Sequence, residues 1–128
     1  MGKGVNTLTI KPKYQLCNLM TQQYQIQDFA QQIAERFSPE KIILFGSQAR
    51  GKAHEDSDVD MLVVLDHETE NVEKAIEILN LLHPHFALDL LVRRPRDIAR
   101  RIAMNDYFIL EIIEQGVILY DRSRSRVG

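Results

Sequence analysis

Two short apolar runs, Ile42 to Phe45 and Met61 to Leu65, lie close together and are joined by a largely polar, glycine-containing stretch. Each run is of strand length and too short for a helix. The connection of about a dozen residues is too short for a crossover helix, so the two strands should pair antiparallel. Gly46 breaks the first run, and Asp58 and Asp60 open the second. Antiparallel pairing therefore brings the Gly46-Ser47 end of one strand against the Asp58 end of the next. The connecting loop should contain a helical turn near Gln48 to Arg50.

That juxtaposition has a chemical reading. A Gly-Ser turn offers backbone N–H groups and a hydroxyl to phosphate oxygens, and glycine allows close approach of the backbone. Carboxylates at i and i+2 of a strand share one face, as shared coordination of a divalent cation requires. A phosphate cradle beside a metal-binding acid pair suits phosphoryl or nucleotidyl transfer with two Mg²⁺ ions. Arg50 and Lys52 are phosphate neighbours in this reading, and exposed loop cations in the plainer one. Asp89 interrupts the later apolar run Phe86 to Val92. A lone Asp there is either a functional group or the partner of an arginine, with Arg93 and Arg94 nearest.

Two rival motifs overlap the segment and fail. GSQARGKA approaches a P-loop but ends in Ala53, which has no hydroxyl for Mg²⁺. DSDVDM begins like a calcium loop but has Met61 in place of the required glycine and His67 in place of the bidentate glutamate. His83 and His85 flank Pro84 without further ligands at zinc spacing.

The remaining elements follow from periodicity. Ile26, Phe29, Ala30, Ile33, Ala34 and Phe37 form one helical stripe ended by Ser38-Pro39. Asp58 to Leu65 reads as the second strand, with Asp58, Asp60, Leu62 and Val64 on one face. Glu70 to Leu82 reads as a helix with Val72, Ala75, Ile76 and Leu79 inward. Phe86 to Val92 is the third strand, Pro95 starts a short helix through Met104, and Asn105 or Asp106 caps another to Gln115. Gly116 closes that helix in the manner of a C-terminal glycine, and Val117 to Tyr120 is a fourth strand. Tyr24, Tyr107 and Tyr120 read as filling the core or its edge. The fold class is α+β: a mixed sheet with helices packed on it.

The 128 residues suit one domain, spanning 21–122. Residues 1–20 lack periodicity and read as an extension, and 123–128 as an unstructured tail. Lys plus Arg is 16 against 18 Asp plus Glu, so no global field draws the chain to DNA or a membrane. Arg93, Arg94, Arg96, Arg100 and Arg101 cluster, either as a basic rim to the metal site or as a solvated helix face. Cys17 is the only cysteine, and no apolar leader or membrane-length run occurs, which fits a cytoplasmic protein.

The spaced pattern Gly46-Ser47, ten residues, Asp58-Val59-Asp60, with ARG and SDVD inside it, resembles the nucleotidyltransferase superfamily that includes DNA polymerase beta. The chain's length is similar to the minimal nucleotidyltransferase branch, whose members act as antitoxins to HEPN-domain toxins. The resemblance implies a polymerase beta-like fold, Mg²⁺ and ATP. It implies Asp58, Asp60 and Asp89 as metal ligands and catalytic acids, and Gly46, Ser47 and Arg50 as nucleotide-binding residues. It further implies AMP transfer to a tyrosine of a HEPN toxin, or neutralisation of that toxin by binding alone. Modification of a small molecule such as an antibiotic is the third reading. A partner subunit or self-association would complete the cleft.

Overall fold

A computed structural model describes residues 18–51 and 58–125. Readings that concern residues 1–17, Lys52, Ser57 and the last three residues lie outside them. Helix α1 (Asn18–Phe37) leads into strand β1 (Lys41–Phe45), followed by β2 (Val59–Val64), α2 (Asn71–Leu82) and β3 (Leu88–Arg93). Then come α3 (Pro95–Ala103), α4 (Tyr107–Gln115), β4 (Val117–Asp121) and a single turn, α5 (Arg122–Ser125). That turn runs into the stretch read from sequence as an unstructured tail.

The four strands form one sheet in the order β3-β2-β1-β4. β1 pairs antiparallel with β2 and with β4, while β2 and β3 are parallel. The sheet is therefore mixed, as the short first connection and the helical second one require. Alternation along the strands gives it two faces. Ile42, Leu44, Met61 and Val63 turn to one side and pack against Phe29, Ala30 and Ile33 of α1 and Ala75 and Ile78 of α2. Ile43, Leu62 and Val64 turn to the other side, under Ile109 and Ile112 of α4. Each fully buried aliphatic side chain stabilises the fold by about 1.5–3 kcal/mol.

Helix ends follow local chemistry. Ser38 and His83 adopt left-handed backbone just before Pro39 and Pro84, which cannot continue a helix. Of the two cap candidates it is Asp106 that caps α4, accepting from Phe108 N and Ile109 N, while Asn105 makes the left-handed turn before it.

Three sequence expectations are corrected. In α2 the buried residues are Ala75 and Ile78, whereas Val72 and Ile76 are 65% and 52% exposed. Apolar residues occur round most of this helix, so two stripes compete and contact with the sheet selects one. Tyr24 and Tyr107 stand in solvent, and only Tyr120 packs against the core. Gly116 has extended backbone, not left-handed; a Cβ there would lie 2.5 Å from both Ile112 O and Ile43 Cγ2. It is glycine because α4 and β1 touch at that point.

The arginine cluster does not rim the acids. Arg93 ends β3, four residues beyond Asp89, or about 13 Å at strand rise. Arg94 and Arg100 bind Asp97, the one buried charged residue among the described residues, at 3.0 and 2.8 Å. Burial would raise the Asp97 pKa, but hydrogen bonds from the Arg94 side chain and backbone and from Asn71 hold it down at about 2. This network pins the start of α3 to the start of α2.

Candidate functional site

Register builds the site. Phe45 on β1 stands opposite Asp60 on β2, and Asp60 stands beside Asp89 on β3. One row across three strands therefore reads aromatic, acid, acid. The next row of the same face, Ile43, Leu62 and Leu91, is apolar and covered by α4. Side chains within a row are about 4.5–5.5 Å apart at Cβ. Asp58, one residue before β2, and Asp89 are exposed, whereas Asp60 is half-buried between them.

The carboxylates feel one another. Asp60 is pushed above the usual carboxylate range, first by burial, then by the charge of Asp89 and a side-chain hydrogen bond with it, and last by Asp58. Asp89 makes no ion pair with Arg93 or Arg94: Arg93 donates to Val92 O, and Arg94 to Asp97.

Gly46 begins the loop at the end of β1 with φ of 78°. A Cβ there would collide with the Asp60 carboxylate, 3.2 Å from its Cγ and nearer still to Oδ2. Glycine is thus required both by conformation and by contact. Arg50 N donates to Gly46 O at 3.2 Å, closing the helical turn read from the sequence. The side-chain nitrogen of Gln48, buried in this loop, has no acceptor among the described residues.

A cavity of about 620 Å³ opens over the row, bounded by Gly46, Arg50, Asp60 and Asp89 on one side and by α4 on the other. Phe108, Glu111, Ile112 and Gln115 of α4 face into it. Arg50 and Glu111 meet across its mouth at 3.5 Å, and the Phe45 and Phe108 rings meet edge to face at 5.8 Å. Ser47, half-buried, and Asp58 do not line the cavity. The structure thus brings together four of the six sequence candidates there, with Asp58 near enough to act on Asp60 by charge and Ser47 adjoining Gly46.

Among the described residues, no three His, Cys, Asp or Glu side chains are disposed to hold a metal ion by themselves. Mg²⁺ seldom uses an all-protein cage; it takes one or two carboxylates with water and substrate phosphates completing the shell. Hard oxygen donors crowded at Asp60 and Asp89 beside the Gly46 turn fit a metal-bound polyphosphate.

Comparison with known proteins bears on the class. Residues 25–125 match the family described as Polymerase beta, Nucleotidyltransferase. The chain belongs to this nucleotidyltransferase family. A Sulfolobus solfataricus protein described as a candidate nucleotidyltransferase shares the fold of this nucleotidyltransferase domain. Its TM-score is 0.60 at 20% identity over 88% of this chain and 92% of that one. A crystal structure of a toxin–antitoxin with AMP-PNP superposes less well, with a TM-score of 0.48 at 21% identity over 74% of this chain and 73% of that one. No curated protein sequence matches the chain.

The sequence of this nucleotidyltransferase gave no signal for Phe108 or Glu111 as site residues. Both lie on one face of α4, three residues apart, and nothing in that spacing separates a cavity wall from an ordinary solvated face. Which strand end α4 covers is decided by tertiary packing.

Proposed function

We propose that this nucleotidyltransferase moves AMP from ATP to an acceptor hydroxyl, and that the acceptor is a tyrosine of a HEPN-domain toxin, for which the chain is the antitoxin. The observation that carries the transfer reaction is the row in which Asp60 and Asp89 lie side by side beneath the Gly46 turn, inside one cavity. Family membership supports the donor class. The HEPN partner, the tyrosine and ATP rest on the motif's resemblance to the minimal branch.

In this reading Gly46 and the Ser47 hydroxyl hold the β- and γ-phosphates, and Arg50 adds positive charge at the mouth. Asp58, Asp60 and Asp89 are the residues that would hold two Mg²⁺ ions, which when bound neutralise the triphosphate. Asp89 accepts the acceptor's hydroxyl proton. The hydroxyl oxygen bonds to the α-phosphorus, the bond from that phosphorus to the β-bridging oxygen breaks, and pyrophosphate leaves. Positioning and electrostatics supply the acceleration.

The test is co-expression with a HEPN-domain toxin, comparing wild type with Asp58→Asn/Asp60→Asn. Rescue by wild type alone, with AMP-sized mass increments on a toxin tyrosine, is the expected result. Rescue by both proteins, with a stable complex and no mass change, would establish neutralisation by binding instead. Transfer of labelled AMP to an antibiotic but not to the toxin would assign a small-molecule acceptor.

A further inference from the structure

The cavity is larger and more apolar than a triphosphate and its cations call for. Its paired aspartates lie on the Asp60–Asp89 side of the row, and the one acid of the opposite wall, Glu111, is ion-paired with Arg50. On the other side Phe45 supplies a ring from the sheet and Phe108 a ring from α4, the two held edge to face at an interplanar angle of 86°. Phe108 is no core residue, for it is 52% exposed at the cavity wall. Apolar Leu91 and Ile112 continue this half inward. A nucleotide has the same two-part character, a polyanionic tail joined to a planar, stackable ring, and a volume of several hundred Å³ is the normal scale for such a ligand.

We propose that Phe108, supported by Phe45, is the shelf on which the nucleobase of the donor stacks, making α4 the nucleoside-recognition wall of the cleft. This rests on the nucleotidyltransferase reading of the same site. The T-shaped contact fixes the Phe108 ring, so little side-chain freedom remains to be lost when a base packs against it. Stacking tolerates any base, and Glu111 and Gln115, projecting from the same face, supply the polar groups that would read its edge.

The chain has no tryptophan, so calorimetry is the direct assay. ATP and inorganic tripolyphosphate are titrated in Mg²⁺ into wild type, Phe108→Ala and Phe108→Tyr. Losing one base–aromatic stack weakens binding by about fivefold to a hundredfold. Phe108→Ala should weaken ATP by about tenfold or more while leaving tripolyphosphate within about twofold, and Phe108→Tyr should restore ATP. An unchanged ATP affinity in Phe108→Ala overturns the shelf, as does an equal loss for both ligands, which would mark Phe108 as structural. If wild type binds tripolyphosphate as tightly as ATP, the shelf fails and the phosphate site stands. If it binds neither, the nucleotidyltransferase reading fails with it.

Discussion

Replacing Gly46 by alanine should report the contact on which the site is built. The residue has φ of 78°, and left-handed backbone costs a residue bearing Cβ about 1–2 kcal/mol. The new methyl would also lie 3.2 Å from Asp60 Cγ and closer to Oδ2. The carboxylate is crowded between Asp58 and Asp89, whose charges already disfavour it, so overpacking adds about 1–3 kcal/mol. Gly46→Ala should therefore cost about 2–5 kcal/mol, on the order of 10 °C in Tm for a domain of this size. In an Asp60→Ala background the colliding atoms are gone and only the backbone cost, about 1–2 kcal/mol, remains. Urea unfolding followed by far-ultraviolet circular dichroism on the four proteins of the cycle measures the difference, provided the m-value is constant. Additivity within about 0.5 kcal/mol would refute the claim that Gly46 is glycine because of Asp60.

Asp89→Asn should lower AMP transfer by about a hundredfold with only a small change in ATP affinity, the mark of a group acting on the reacting oxygen. Single-turnover labelling from α-labelled ATP decides; a full rate would remove Asp89 from the chemistry. Asp97 should give the fold an acid sensitivity unrelated to the cleft. Its native pKa of about 2 lies below the unfolded value, so its contribution is complete above about pH 4 and disappears as pH falls through about 2. Asp97→Asn should cost about 2 kcal/mol at pH 7 and flatten the stability profile between those limits, read from urea midpoints at each pH.

Much of the site was legible because its residues break local patterns. A glycine ending an apolar strand, and acids placed in strands otherwise made of leucine and valine, contradict what burial favours, and they mark Gly46, Asp60 and Asp89. The antiparallel pairing of β1 with β2 followed from the short loop alone. Features set by tertiary packing were not legible. The buried face of α2 was ambiguous because Val72 and Ile76 are as apolar as Ile78 and Leu79. The arginines after β3 read equally as a rim to the site, and only strand length shows them to be at the far end of the sheet. Gly116 carries a familiar helix-ending identity for a different reason, the close approach of α4 to β1. Asp97 sits among arginines in the sequence and gives no sign that it is the buried one of the acids among the described residues.

The strand order has a consequence for synthesis of the chain. β1, with Ile42, Ile43 and Leu44 at its centre, lies between β2 and β4, yet β4 is made some seventy residues after it. Until Val117 to Asp121 emerge from the ribosome, one edge of β1 offers unpaired backbone groups beside Ile42, Ile43 and Leu44, the kind of edge that recruits other chains. A nascent chain stalled anywhere between Leu65 and Gly116 should therefore be prone to aggregate, and chaperone capture should fall sharply once β4 is free to dock.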